Sequence, residues 1–237
     1  MIWISHRGYC EGVVENTRKA FRQAIDAGFV SLETDLRCTA DGHIVLHHDR
    51  SMERTAERSV NIDEMTLEAF KQTVLKDGQN GMTFLEFIEE FAGCNWILDI
   101  KPETARRVIR VLRDWSDKQG AASWIQSQAR FLVWSKRDAK YLRRLFPNSV
   151  LLARQSECVT LGLFALASLE RLVPVSPNKT YSIPPRFFGI NLYKRDFVSR
   201  YHKLGAKVLA YLPATAQEVE AAKNSGCDEI LTNGLIS

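Results

Sequence analysis

The sequence of 237 residues predicts an α/β fold on a parallel sheet, most simply a TIM (β/α)8 barrel. Three observations carry that prediction. The length suits a single barrel and is long for one ordinary domain. Short apolar runs alternate with amphipathic helical stretches along most of the chain. Seven or eight such runs can be counted, most separated by a helix, which favours parallel pairing.

Ile2 to Ser5 reads as the first strand. Asn16 is the expected N-cap of a helix whose apolar face is Ala20, Phe21, Ala24 and Ile25, with Gly28 as its stop. A second strand is expected at about Ser31 to Leu36, after which Ala40-Asp41-Gly42 turns the chain back into Ile44-Val45-Leu46. Residues 50 to 94 break the rhythm: Thr66 and Thr83 each open a short helix, and Thr83-x-x-Glu86 forms a capping box.

Alternation resumes with a strand at Trp96 to Ile100 and a helix at Thr104 to Lys118. A strand at Phe131 to Trp134, a helix at Arg137 to Phe146 and a strand at Val150 to Ala153 follow. Between Leu172 and Leu192 the prolines 174, 177, 184 and 185 predict a long loop around one ill-defined strand. Lys207 to Tyr211 is a strand, Thr215-x-x-Glu218 caps the next helix, and Glu229 to Thr232 closes the series. One domain over residues 1–237 is expected, with an insertion at about 50–94.

Composition narrows the partners. At 45% hydrophobic and 25% charged residues the chain can bury a large core. The net charge of +4, from 32 basic and 28 acidic residues, suits an anionic substrate as well as nucleic acid. No run of five or six like charges and no basic stripe with interleaved aromatics occurs, so no nucleic-acid partner is expected. The five cysteines are scattered and no C-x-x-C is present, which predicts free thiols. With the opening MIWISHRG unlike a secretion signal and no uninterrupted apolar window of 18 residues, a cytoplasmic protein without a transmembrane segment is expected. Oligomeric state is not legible.

The chemistry collects at predicted strand ends. Glu33 and Asp35 lie two apart on a strand and so share a face. If that face is the barrel interior, the carboxylates need a cation or neutralising arginines, and hard oxygen ligands suit Mg2+ or Ca2+. Asp99 and Lys101 repeat the spacing, either as a simple ion pair or as a third carboxylate with a group for a negative substrate. His6 and Arg7 end the first strand, and His47-His48-Asp49 ends the hairpin arm. Acid–base groups, metal ligands and phosphate ligands on one rim suit metal-assisted cleavage of a phosphodiester.

These residues resemble the glycerophosphodiester phosphodiesterases. The matching pieces are His6-Arg7-Gly8, Glu15-Asn16-Thr17, Glu33-Thr34-Asp35 and Thr39-Ala40-Asp41-Gly42. They continue with Val45-Leu46-His47-His48-Asp49, Arg54-Thr55 and Ile100-Lys101. The succession is dense over residues 4 to 55, clear from 96 to 101 and faint from 206 to 232. The resemblance implies a barrel of the phospholipase-C-like phosphodiesterase type with a small insertion after the second strand, where residues 50 to 94 indeed fall. It implies that Glu33, Asp35 and Asp99 hold one divalent cation, Mg2+ or Ca2+. It implies His6 and His48 as the acid–base pair, Arg7 and Lys101 as phosphate ligands, and Glu15 as a support of metal or substrate. His47 is read as structural.

Four positions depart from the family pattern. Asp99 stands where glutamate is usual, and Val14 where proline is common. Ala210-Tyr211-Leu212-Pro213 replaces a Trp-Thr-x-Asn stretch, and Asn233 follows Thr232 in place of aspartate. The expected activity is metal-dependent hydrolysis of a small-molecule glycerophosphodiester to glycerol 3-phosphate and an alcohol. The alternatives are the same chemistry on lysophospholipids, or a catalytically silent barrel that binds a phosphate ester. On the lipid alternative, the Met82 to Phe91 helix and Phe187-Phe188 would form a lid or lip; otherwise they are ordinary core.

Overall fold

Strand β1 (Ile2–His6) pairs in parallel with β2 (Ser31–Cys38), with Ser5 opposite Leu32 and His6 opposite Glu33. This computed structural model describes residues 1–234, which divide into two compact units: Ser5–Val150, and Met1–Ile4 with Leu151 onward.

In the unit Ser5–Val150, α1 (Arg18–Asp26) follows β1 and buries Ala20, Phe21 and Ala24, while Ile25 faces solvent. Its N-cap is Thr17, whose hydroxyl accepts from the Ala20 N–H, and not Asn16 as the sequence suggested. Asn16 takes a left-handed φ of +57° and turns its amide toward β2. Gly28, with φ +91°, ends the helix as expected. Strand β2 is buried at all eight positions, as a parallel strand covered on both faces must be. Gly42, at φ +89°, lets Thr39–His43 turn the chain into β3 (Ile44–Leu46), which pairs antiparallel with β2.

The insertion builds a small core of its own. It comprises β4 (Ser51–Met52), α2 (Glu53–Ala56), β5 (Arg58–Asn61), α3 (Leu67–Gln72) and α4 (Phe84–Glu90). Met52, Ile62, Met65, Phe70 and Leu75 cluster with Val45 beneath it. Thr66 and Thr83 cap α3 and α4, the latter through the Thr83–Glu86 capping box. Helix α4 buries Phe84, Phe87 and Ile88, and Phe87 meets Phe21 edge-on at 4.9 Å, so this helix is core and no lip.

Strand β6 (Asn95–Ile100) lies parallel to β2, and β7 (Ala129–Val133) lies parallel to β6. Between them α5 (Ala105–Gln119) buries Ala105, Val108, Ile109, Leu112 and Ser116, a stripe at helical spacing. The short α6 (Ala122–Gln128) leads into β7, and α7 (Lys136–Leu145), capped by Ser135, follows it. Strand β8 (Val150–Leu151) is only two residues long, although burial continues through Ala153.

In the other unit α8 (Gln155–Leu166) was not legible, because its own apolar residues are spread around the helix and leave no periodic stripe. Leu161 and Ala165 are buried, but Val159, Leu163 and Phe164 are exposed. The ill-defined strand is β9 (Thr180–Ile183), and Pro184-Pro185 ends it. A small hairpin follows, β10 (Arg186–Phe187) with β11 (Ile190–Asn191), then α9 (Arg195–Lys203). Strand β12 (Lys207–Tyr211) runs parallel to both β9 and β13 (Glu229–Thr232), with α10 (Ala216–Ser225) between β12 and β13. Tyr181, Ile183, Phe197, Tyr201, Val208 and Ile230 are among the buried residues of its core. No helix among the described residues is long and apolar enough to cross a membrane.

Candidate active site

The register of the parallel strands assembles the site, all of it within Ser5–Val150. His6 is the partner of Glu33 across β1–β2, and Asp35 is the partner of Asp99 across β2–β6. Partners in a parallel ladder project to the same side, and Glu33 and Asp35 are two apart, so all four side chains face one way. One oxygen each from Glu33, Asp35 and Asp99 lies within 4.8 Å of the others, and all three residues are buried. Nε2 of His6 is 3.9 Å from Glu33 Oε2.

Two cations stand among these three carboxylates. Lys101 Nζ lies 2.7 Å from Asp35 Oδ1 and 2.6 Å from Asp99 Oδ2. Arg7 Nε lies 3.0 Å from Asp35 Oδ2, while the Arg7 N–H donates to Glu33 Oε2 at 3.2 Å. Burial disfavours the charge on Asp35, but Lys101 and Arg7 outweigh it and hold the carboxyl down at about 2. Burial, followed by the negative charges of Asp35 and Asp99, pushes Glu33 well above the usual carboxylate range. Asp99 is also raised, by burial first and then by Asp35, with Lys101 opposing. The donor set therefore carries one carboxylate more than its two cations neutralise. Oxygen donors only, buried and short of positive charge, fit a hard divalent cation.

Arg7 owes its position to the turn after β1. It sits at φ +58°, and Gly8 follows at φ +91°. A Cβ on Gly8 would lie 2.6 Å from the Ala20 carbonyl carbon, so only glycine lets the turn press against α1. Arg7 Nη1 donates to Glu15 Oε1 at 3.1 Å. Glu15 also accepts from Arg54 Nη2 at 2.5 Å, and Arg54 Nε donates to Asp49 Oδ2 at 2.6 Å. Asp49 Oδ1 lies 2.7 Å from Nδ1 of His48, which leaves Nε2 of that ring for other work. A continuous chain of hydrogen bonds and ion pairs thus runs from His48 to the carboxylates. The insertion secures it from behind: Asp77 accepts the Val14 N–H at 2.7 Å and so fixes the loop that carries Glu15.

All eight residues singled out from the sequence belong to this network. His47 does not: its ring is buried between the Asp49 carbonyl, at 2.8 Å, and the Thr55 hydroxyl, at 2.9 Å, and burial lowers its pKa. Two members were given no part in the site by the sequence, Asn16 being read as a helix cap and Trp134 as the end of a strand. Asn16 Nδ2 donates to Asp35 Oδ2 at 2.7 Å while its Oδ1 accepts from the Thr34 hydroxyl at 2.8 Å. Trp134 Nε1 donates to Asp99 Oδ1 at 2.8 Å, and its ring lies 5.5 Å from Lys101 Nζ. The signal for Trp134 was its place at the end of a barrel strand. The five cysteines are free thiols, and that of Cys10, beside Arg7, is pushed up to about 12 by burial.

Residues 6–236 match the Glycerophosphoryl diester phosphodiesterase family. A glycerophosphodiester phosphodiesterase of Caldanaerobacter subterraneus is 25% identical over 97% of this chain and 93% of its own. One of Bos taurus is 39% identical over 69 residues, 29% of this chain and 21% of that protein. Among solved structures, an Oleispira antarctica phosphodiesterase in complex with the product sn-glycerol-3-phosphate superposes with a TM-score of 0.76 at 22% identity, over 98% of this chain and 93% of that one. A glycerophosphoryl diester phosphodiesterase domain of Mycobacterium tuberculosis gives 0.78 at 14% identity, over 98% and 96% of the two chains. The fold is the TIM (β/α)8 barrel of these enzymes. The chain is a phosphodiester-cleaving enzyme and belongs to the glycerophosphoryl diester phosphodiesterase family.

Proposed function

We propose that the enzyme hydrolyses small glycerophosphodiesters to glycerol 3-phosphate and an alcohol, with His6 and His48 moving the protons. The observation that carries this reading is the buried Glu33–Asp35–Asp99 cluster, faced by His6 and bordered by Arg7 and Lys101. A single Mg2+ or Ca2+ held by those three carboxylates would supply Lewis-acid polarisation of the phosphoryl group and ease ionisation of the attacking hydroxyl.

The protein's own groups do the rest. Arg7 and Lys101, donors with no acceptor capacity, hold the non-bridging phosphoryl oxygens and offset their charge in the transition state. One histidine takes the proton of the attacking hydroxyl as its oxygen bonds to phosphorus. The other gives a proton to the alcohol oxygen as the bond from phosphorus to it breaks. The nucleophile is the neighbouring glycerol hydroxyl, with water later opening a cyclic phosphate, or water itself. Asp49 fixes the His48 tautomer through Nδ1, which directs Nε2 to the proton transfer. Glu15 holds Arg7 and Arg54 together and so spaces the two histidines' supports.

Product analysis tests this. Purified protein with Mg2+ or Ca2+ is offered glycerophosphocholine, glycerophosphoethanolamine and a lysophospholipid, and glycerol 3-phosphate, lysophosphatidic acid and free alcohol are measured. Release of glycerol 3-phosphate that EDTA abolishes is the expected result. Full activity in EDTA overturns the metal assignment, and turnover of the lysophospholipid alone overturns the substrate assignment.

A further inference from the structure

We infer that the β10–β11 hairpin is a docking element for an anionic bilayer surface, independently of the catalytic reading above. The hairpin joins Phe187 to its partner Ile190 through a two-residue turn, Phe188-Gly189. Both turn residues have positive φ, +46° and +78°, the geometry of a type I′ turn that asparagine, aspartate or glycine ordinarily supplies. A bulky aromatic side chain is strained there. Nothing in the fold repays that strain, because Phe188 is 89% exposed. Its ring meets that of Phe187 in a T-shaped pair with centroids 4.6 Å apart, while Phe187 itself packs against the core of its unit. Ile190, across the turn, is 46% exposed. The tip thus projects a large apolar group into water from a hairpin whose Phe187 is tied to the core.

Charge identifies what it meets. From Arg171 to Arg195 the chain carries Arg171, Lys179, Arg186, Lys194 and Arg195 with no acid between them. Of the flanking acids, Glu170 is engaged by Arg200 at 3.2 Å, and the exposed Asp196 offsets one of these cations. Lys179 is engaged by Glu157 at 2.7 Å, but Arg186, Lys194 and Arg195 are exposed beside the hairpin. A second copy of this chain meeting the same face would set these cations against themselves. An anionic lipid surface accepts both features, the aromatic ring at headgroup level and the cations against lipid charge.

The test is co-sedimentation of the full chain with vesicles of phosphatidylcholine alone, or of phosphatidylcholine and phosphatidylglycerol in equal parts. The chain should pellet with the mixed vesicles only, less so as salt is raised. Phe188→Ser should lower the bound fraction about fivefold or more, and R186Q/K194Q/R195Q should remove the preference for anionic lipid. Phe188→Ser should melt no lower than the parent, since its side chain contributes no core contact. Failure of the parent chain to pellet overturns the inference, as does binding that Phe188→Ser leaves unchanged. Self-association in sedimentation velocity that Phe188→Ser disperses, without vesicle binding, assigns the face to a second copy and equally overturns it.

Discussion

Lys101 places its amine 2.7 Å from Asp35 and 2.6 Å from Asp99, two aspartates that are direct register partners on neighbouring parallel strands. One buried cation thereby holds together two carboxylates that would otherwise repel across the sheet. Burial lowers the lysine's pKa, but the two aspartates outweigh it and leave the group raised.

Lys101→Met should therefore destabilise the metal-free protein by about 3–5 kcal/mol, the usual cost of leaving a buried charge without its partner. Urea unfolding in EDTA measures it. Added Mg2+ or Ca2+ should recover part of the loss, because a cation at the three carboxylates supplies the missing charge. A variant equally unstable with and without metal would show that the cluster holds none.

His6→Ala and His48→Ala should each lower turnover of glycerophosphocholine about 10²–10⁴-fold. The His48 ring is partly exposed and bonds to its neighbour Asp49, while the bonds from Arg37 go to the His48 carbonyl and survive substitution. Its loss should therefore leave the melting temperature close to the parent's. Near-normal turnover in a folded variant would remove that histidine from the acid–base pair.

Gly8→Ala should cost more than about 2 kcal/mol. The new Cβ meets the Ala20 backbone at 2.6 Å, and φ of +91° strains any side chain. Gly12→Ala is the control: φ is +69° there too, but a Cβ would meet nothing within 4 Å, so about 1 kcal/mol is expected. Denaturant midpoints compare the two.

Glu157 gives a pH signature away from the site. Burial raises its pKa, but Arg154, at 2.9 Å, and Lys179, at 2.7 Å, outweigh that and hold it down at about 2. A carboxyl depressed in the folded state contributes stability above its ordinary value of 4.5 and loses it as pH falls toward 2. Glu157→Gln should thus cost about 1–2 kcal/mol at pH 7, and the gap to the parent should close between about pH 4.5 and 2. Melting curves across that range check the convergence.

Much of this was legible in the sequence because the information is local. Strand alternation put Glu33 with Asp35 and Asp99 with Lys101, hydroxyl-and-glutamate spacing marked the start of α4, and Ala40-Asp41-Gly42 announced the turn into β3. Asn16 was misread for a physical reason: an asparagine before a helix fits an N-cap, and only its left-handed φ and its bonds to Thr34 and Asp35 show otherwise. Helix α8 escaped because periodicity vanishes when a helix carries apolar residues on its exposed as well as its buried side. What the tertiary structure alone decided is register. Residue spacing says that two carboxylates share a face, but only the pairing of β1, β2 and β6 sets His6 against Glu33 and Asp35 against Asp99. Slipping one strand by a single residue would turn its ligands to the opposite face, so the chemistry depends on a long-range alignment that no local stretch encodes.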